Sequence, residues 1–153
     1  MNKSDRINSF VGQLGIESDT ALDPCYLGFF KCFNDQHYYE AHDVLEHLWL
    51  KQRDSNWAFF KGLIQIAGAF VHLQKQFLRP DHPKDGRRLH PAVRLFEMGM
   101  SNLEPYRPLH LQLDVDRLSE LCSGLATEIV ASDFTVNPWS PSHPPQIALR
   151  VAD

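Results

Sequence analysis

The segment WAFFKGLIQIAGAFVHL, residues 57–73, constrains the chain more than any other. Its apolar residues Phe59, Phe60, Leu63, Ile64, Ile66, Ala67, Phe70, Val71 and Leu73 spread around the whole circumference of a helix. A helix that is apolar all round must be buried on several sides. In a chain of 153 residues, a length that suits one domain, this makes it the central helix of a bundle. Lys61, Gln65 and His72 interrupt the run, which is too short and too polar for a membrane span. Gly62 and Gly68 lie inside it, and each costs about 1 kcal/mol against alanine in a helix interior. Such glycines are expected where another backbone or a ligand comes close.

The flanking sequence supplies helices for this one to pack against. Asp23 and Pro24 are suited to the cap and first turn of a helix whose apolar face is Tyr26, Phe29, Phe30 and Phe33. A second helix is predicted over about 37–53, with Tyr38, Ala41, Leu45, Leu48 and Trp49 as its stripe. The central helix is the third, capped by Asp54 or Ser55 and ending near Leu78, before Arg79-Pro80. A fourth follows the loop RPDHPKDGRR, roughly 86–104, and a fifth starts after Asp114 and runs to about 132. The expected fold class is all-α, a single-domain bundle of about five helices. Residues 1–21 are expected to form an irregular arm with room for a short helical turn, 22–133 the bundle, and 134–153, with Pro138, Pro141, Pro144 and Pro145, an extended tail. No strand is predicted.

The net charge of −4 implies no polyanion partner. The only basic cluster is Lys75, Arg79, Lys84, Arg87 and Arg88, diluted by Asp81 and Asp85 and without interleaved aromatics, so a solvated loop is the better reading than an RNA contact. The N-terminus has no signal-peptide pattern. Cys25, Cys32 and Cys122 make no CxxC pair and read as small core residues, which fits a reducing cytoplasm. Cys25 would be a nucleophile only beside an imidazole.

Ionisable groups on core-facing positions are the signal for a site. At 100° per residue His42, Glu46 and Trp49 fall within about 60° of arc on the second helix. On the third, Gln65 and His72 fall within about 20° of each other, with Gly68 and Ala69 between them. A short connection makes the two helices antiparallel neighbours, so His42 and Glu46 are expected to face Gln65 and His72 across a narrow gap. Burial of such groups costs several kcal/mol, about 2–7 for a neutral polar group, unless they pair. Three readings follow. One is a hydrogen-bonded core network. Another is a small-molecule pocket in which Glu46 or His42 is the general base and Trp49, Gln65 and Tyr38 line the wall. The third is a metal site of His42, Glu46 and His72, a donor set suited to zinc or ferrous iron. No HExxH is present, and Glu97 and Glu104 lack the histidines of a di-iron pattern. His37 and His47 are expected to face solvent.

The string YYEAHDVLEHLW followed by WAFFKGLIQIAGAFVHLQ resembles the DUF309 family, whose hallmark is a histidine, three residues, a glutamate, two residues and a tryptophan: here His42, Glu46 and Trp49. Gly62 to Gln65, with His72 beyond, matches a second block, and the likeness runs over roughly residues 26–130. The resemblance implies a small all-α bundle and brings no established activity. The functional expectation is a polar site between the second and third helices, binding a small molecule or assisted by a metal and hydrolytic in the fullest version. The alternative is a non-enzymatic module in which the same residues fix helix register. The partners expected are a small-molecule ligand and a second copy of the chain, with nucleic acid and membrane not expected.

Overall fold

The computed structural model describes residues 3–13 and 22–150. Among the described residues six helices follow one another: α1 (Lys3–Gln13), α2 (Pro24–Asn34), α3 (Tyr38–Lys51), α4 (Trp57–Leu78), α5 (Leu89–Leu103) and α6 (Val115–Ala131). A 3-10 turn, Glu104–Tyr106, follows α5. Two short strands, β1 (Leu109–His110) and β2 (Leu113–Asp114), pair antiparallel ahead of α6.

Helix boundaries follow local chemistry. Asp23 caps α2 through its carboxylate, which accepts from Cys25 N at 2.7 Å, and Pro24 opens the helix. Asp114 caps α6 by accepting from Arg117 N at 3.0 Å, and Arg150 donates to its second oxygen. That combination holds the Asp114 carboxyl below its usual range, the Arg117 backbone bond being the largest cause. The β1–β2 turn puts both Leu111 (φ 45°) and Gln112 (φ 65°) in the left-handed region that a two-residue hairpin of this register requires. Tyr26 donates to Leu111 O at 3.0 Å, and Arg150 N donates to Gln112 O at 2.7 Å, so tertiary bonds hold an apolar residue where glycine or asparagine would be usual.

The central helix is α4. Its most extensive neighbour is α5, and α3 packs along another side. Phe59, Phe60, Leu63, Ile66, Ala67, Ala69, Phe70 and Leu73 are all buried. An aromatic cluster joins α2, α3 and α4: the Tyr38 and Phe70 rings stack at 5.2 Å and Phe33 meets both edge-on.

Two expectations change. The arm carries α1, an 11-residue helix, in place of an irregular segment with at most a short helical turn. Its Ile7 and Val11 are one turn apart and buried against the bundle. Two apolar residues among polar ones are a faint signal in isolation, and tertiary packing supplies the helix. The strand pair is also unexpected, because two residues per strand carry no alternating pattern.

After a turn at Ser132–Phe134 the tail runs to residue 150 without helix or strand, broken by a second turn at 141–143, and is strapped to the bundle. Trp139 is buried, donating from Nε1 to Tyr38 Oη at 2.9 Å and meeting Phe77 edge-on. Asn137 donates to Leu73 O, and Asn34 exchanges two hydrogen bonds with Ile147.

Candidate functional site

His42 and Glu46 project from successive turns of α3, with His42 Nε2 3.6 Å from a Glu46 oxygen. His42 Nδ1 lies 3.2 Å from Asp43 Oδ1. The other Glu46 oxygen accepts from Lys3 Nζ of α1 at 3.4 Å. The His42 and Glu46 side chains are 31% and 28% exposed, so the pair sits at the edge of the α1–α3 seam. A cleft of about 200 Å³ adjoins it, lined by Lys3, Arg6, Ile7, Phe10, Glu40, Asp43 and Val44.

Gln65 belongs elsewhere. It is buried, and its Oε1 accepts from Asn102 Nδ2 of α5 at 2.7 Å. His72 belongs to a third set. Arg88 donates from Nη1 to His72 Nδ1 at 3.0 Å and pairs with Asp85, which also pairs with Arg79. Burial, then the Arg88 and Lys75 charges, hold the His72 imidazole below its usual pKa. The side-chain bond from Arg88 likewise holds the Asp85 carboxyl low.

The gap expected between α3 and α4 is therefore a contact between α4 and α5. The glycines show why. A Cβ on Gly62 would lie 3.0 Å from Gly99 O, and one on Gly99 would lie 2.7 Å from Ile66 Cγ1. Gly68 faces Leu95 of the same α5. The face Gly62, Gln65, Ala69, His72 thus packs toward α5 and the loop before it. A helix that is apolar all round does not announce which neighbour each face meets, so spacing brought Gln65 and His72 together without saying what lay opposite.

The remaining wall residues are structural neighbours of these seams. Tyr38 is fully buried and its hydroxyl accepts from Trp139, far from the His42–Glu46 edge in its bonding. Trp49 stacks on Trp57 at 5.2 Å, with the Arg53 guanidinium 6.0 Å and 5.7 Å from the two rings and Lys61 5.1 Å from Trp57. The Nε1 atoms of both tryptophans are buried without a hydrogen-bond partner.

The donor set for a metal is dispersed. His42 and Glu46 are together, whereas His72 faces a guanidinium, an unfavourable neighbour for a cation. Among the described residues no three histidine, cysteine, aspartate or glutamate side chains form a group that could hold a metal ion. Cys25 shares a cleft of about 470 Å³ with His47, Lys51 and Asp23. Burial, then the neighbouring Asp23 carboxylate, pushes its thiol up to about 11, so it stays protonated near neutrality. Cys32 is pushed up to about 11 as well, chiefly by burial, and Cys122 higher still.

Spacing on α3 and α4 could not have found three partners: Lys3 on α1, Asn102 on α5 and Arg88 in the loop. Asn102 carried one usable signal, since Gly99-x-x-Asn102 repeats the spacing of Gly62-x-x-Gln65.

No helix among the described residues is long and apolar enough to cross a membrane. No curated protein and no solved structure matches the chain. The family model described as "Domain of unknown function (DUF309)" matches residues 26–80, which run from the first turn of α2 to just past the end of α4 and hold His42, Glu46, Trp49, Gln65 and His72. Residues 26–80 are thus similar to DUF309, an uncharacterised family.

Proposed function

We propose that the chain is a non-enzymatic helical module of a reducing, cytoplasmic setting, which acts by presenting surfaces rather than by turning over a substrate. One observation carries this reading: the polar residues of α3 and α4 divide among three seams, each with partners inside the chain. Glu46 ties α3 to Lys3 of α1, Gln65 ties α4 to Asn102 of α5, and His72 ties α4 to Arg88 at the start of α5. Polar groups satisfied in this way define helix register and leave little capacity for a ligand. The three buried, protonated cysteines support the reducing setting.

A specific observation favours a second reading, a small-molecule site. His42 and Glu46 are about 30% exposed and are bonded to Asp43 and Lys3, which line the neighbouring cleft, so water or a ligand could reach an imidazole–carboxylate pair. Hydrolysis, with or without zinc or iron, is the activity that pair would support.

The test is a comparison of wild type and Glu46→Gln for hydrolysis of model esters and phosphoesters, with the metal content of untagged protein measured by elemental mass spectrometry. The proposal expects no hydrolysis that depends on Glu46 and no near-stoichiometric metal. Turnover that disappears in a fully folded Glu46→Gln variant would overturn it in favour of the site.

A further inference from the structure

The surface between α5 and α6 holds a long open groove. One cleft of about 650 Å³ is lined by Met100, Ser101, Glu104, Arg107, Ser119, Glu120, Ser123 and Gly124. A second, of about 360 Å³, continues it along Glu97, Thr127 and Val130, and the two share Met100 and Ser123. The α5 wall is one helical face, Glu97, Met100, Ser101 and Glu104. The α6 wall runs from Ser119 to Ala131, about 18 Å at the rise of an α-helix.

Three features of this groove have no explanation inside the chain. Ser119 is 5% exposed, and its hydroxyl is buried with no hydrogen-bond partner. Gly124 sits in the interior of α6, where glycine is unfavourable, yet a Cβ there would meet nothing within 4 Å. Gly62 and Gly99, by contrast, are each filled against the other's helix. Val130 is 49% exposed at the groove's end.

Charge selects the occupant. The lining carries Glu97, Glu104 and Glu120 against one cation, Arg107, which is already paired with Glu104 at 3.2 Å and Asp116 at 2.6 Å. Glu97 and Glu120 have no ion pair among the described residues. Two such acidic grooves would repel, which disfavours a second copy of the chain. Small residues along a pair of neighbouring helices admit a third helix at close range.

We propose that the α5–α6 groove docks a basic amphipathic helix of another protein, about three turns long, with small or apolar residues against Gly124 and Met100 and lysines or arginines over Glu97 and Glu120. The proposal rests on the reading of the chain as an interaction module, and it names the partner's chemistry. Its outer face is remote in bonding from His42 and Glu46, so the two ideas fail separately.

The probe is a fluorescein-labelled leucine–lysine helical peptide, titrated against the full chain by anisotropy at moderate salt. Binding is expected, weakened about tenfold or more by Gly124→Leu, which fills the groove at a position with room for a side chain, and similarly by Glu120→Lys. Glu40→Gln, an exposed change on α3, should leave it unaltered. No binding, or equal binding to the folded Gly124→Leu variant, would overturn the proposal. So would sedimentation showing a wild-type dimer that Gly124→Leu dissolves, which would give the groove to a second copy. Glu46-dependent hydrolysis would overturn the functional reading alone and leave the peptide result standing.

Discussion

Two polar contacts, one in the α4–α5 seam and one in the α1–α3 seam, are opposites. At the first, Gln65 and Asn102 meet at 2.7 Å where Gly62 and Gly99 let the helices touch backbone to side chain. At the second, Lys3, Glu46 and His42 meet at 3.4–3.6 Å with both α3 side chains about 30% exposed. A buried amide such as Gln65 must stay paired, because an orphaned group costs about 1–3 kcal/mol. An exposed ion pair is worth about 0–1 kcal/mol, since water competes for both partners. The pair that looks catalytic in sequence is thus the weakly bound one, and Gln65, read in the sequence as a wall residue of the same site, is held instead against α5.

The largest test of this contrast is Gly99→Ala. A Cβ there would press on Ile66 and on Gly62 O, so the helices must part; we expect a net loss of about 2–3 kcal/mol in urea unfolding despite alanine's better helix propensity. Gly68→Ala, meeting only the tip of Leu95 at 3.2 Å, should lie within about 1 kcal/mol of wild type. Equal losses at both sites would mean that the α4–α5 contact is not where the backbone constraint lies.

A pH series sharpens the contrast further. His72 is held below its usual 6.5, first by burial and then by Arg88 and Lys75. The folded state therefore binds fewer protons than the unfolded chain as pH drops through 6.5. Its contribution is complete above that value and declines below it, until the folded imidazole itself titrates. Replacing it as His72→Gln keeps an acceptor for Arg88 and should flatten the acid-side decline measured by thermal melting at successive pH values. His110, also lowered by burial, keeps the decline from vanishing. An unchanged pH profile would show that His72 is not part of the seam.

The bundle was legible because its signals are local. Asp23-Pro24 caps α2, the all-round apolar run is α4, and Asp114 caps α6, each where the sequence places it. What escaped was tertiary. Ile7 and Val11 become a helical face only against the bundle, and Trp139 joins the core through long-range contacts with Tyr38 and Phe77. The candidate site was half legible. Spacing joined His42 to Glu46 because i and i+4 are neighbours on any helix. It could not place Gln65 and His72 against α5, because the azimuth of a buried helix toward its neighbours is decided by packing, and Gly99 and Asn102 lie some 35 residues away in sequence.

The most direct measurement is urea unfolding of Gln65→Leu beside Glu46→Gln, two changes that remove hydrogen-bonding or charge with little change in size. A loss of about 1–2 kcal/mol for Gln65→Leu and less than about 0.5 for Glu46→Gln is expected. A Glu46→Gln variant that loses as much as Gln65→Leu, or more, would contradict the account and return the weight of the fold to the His42–Glu46 pair.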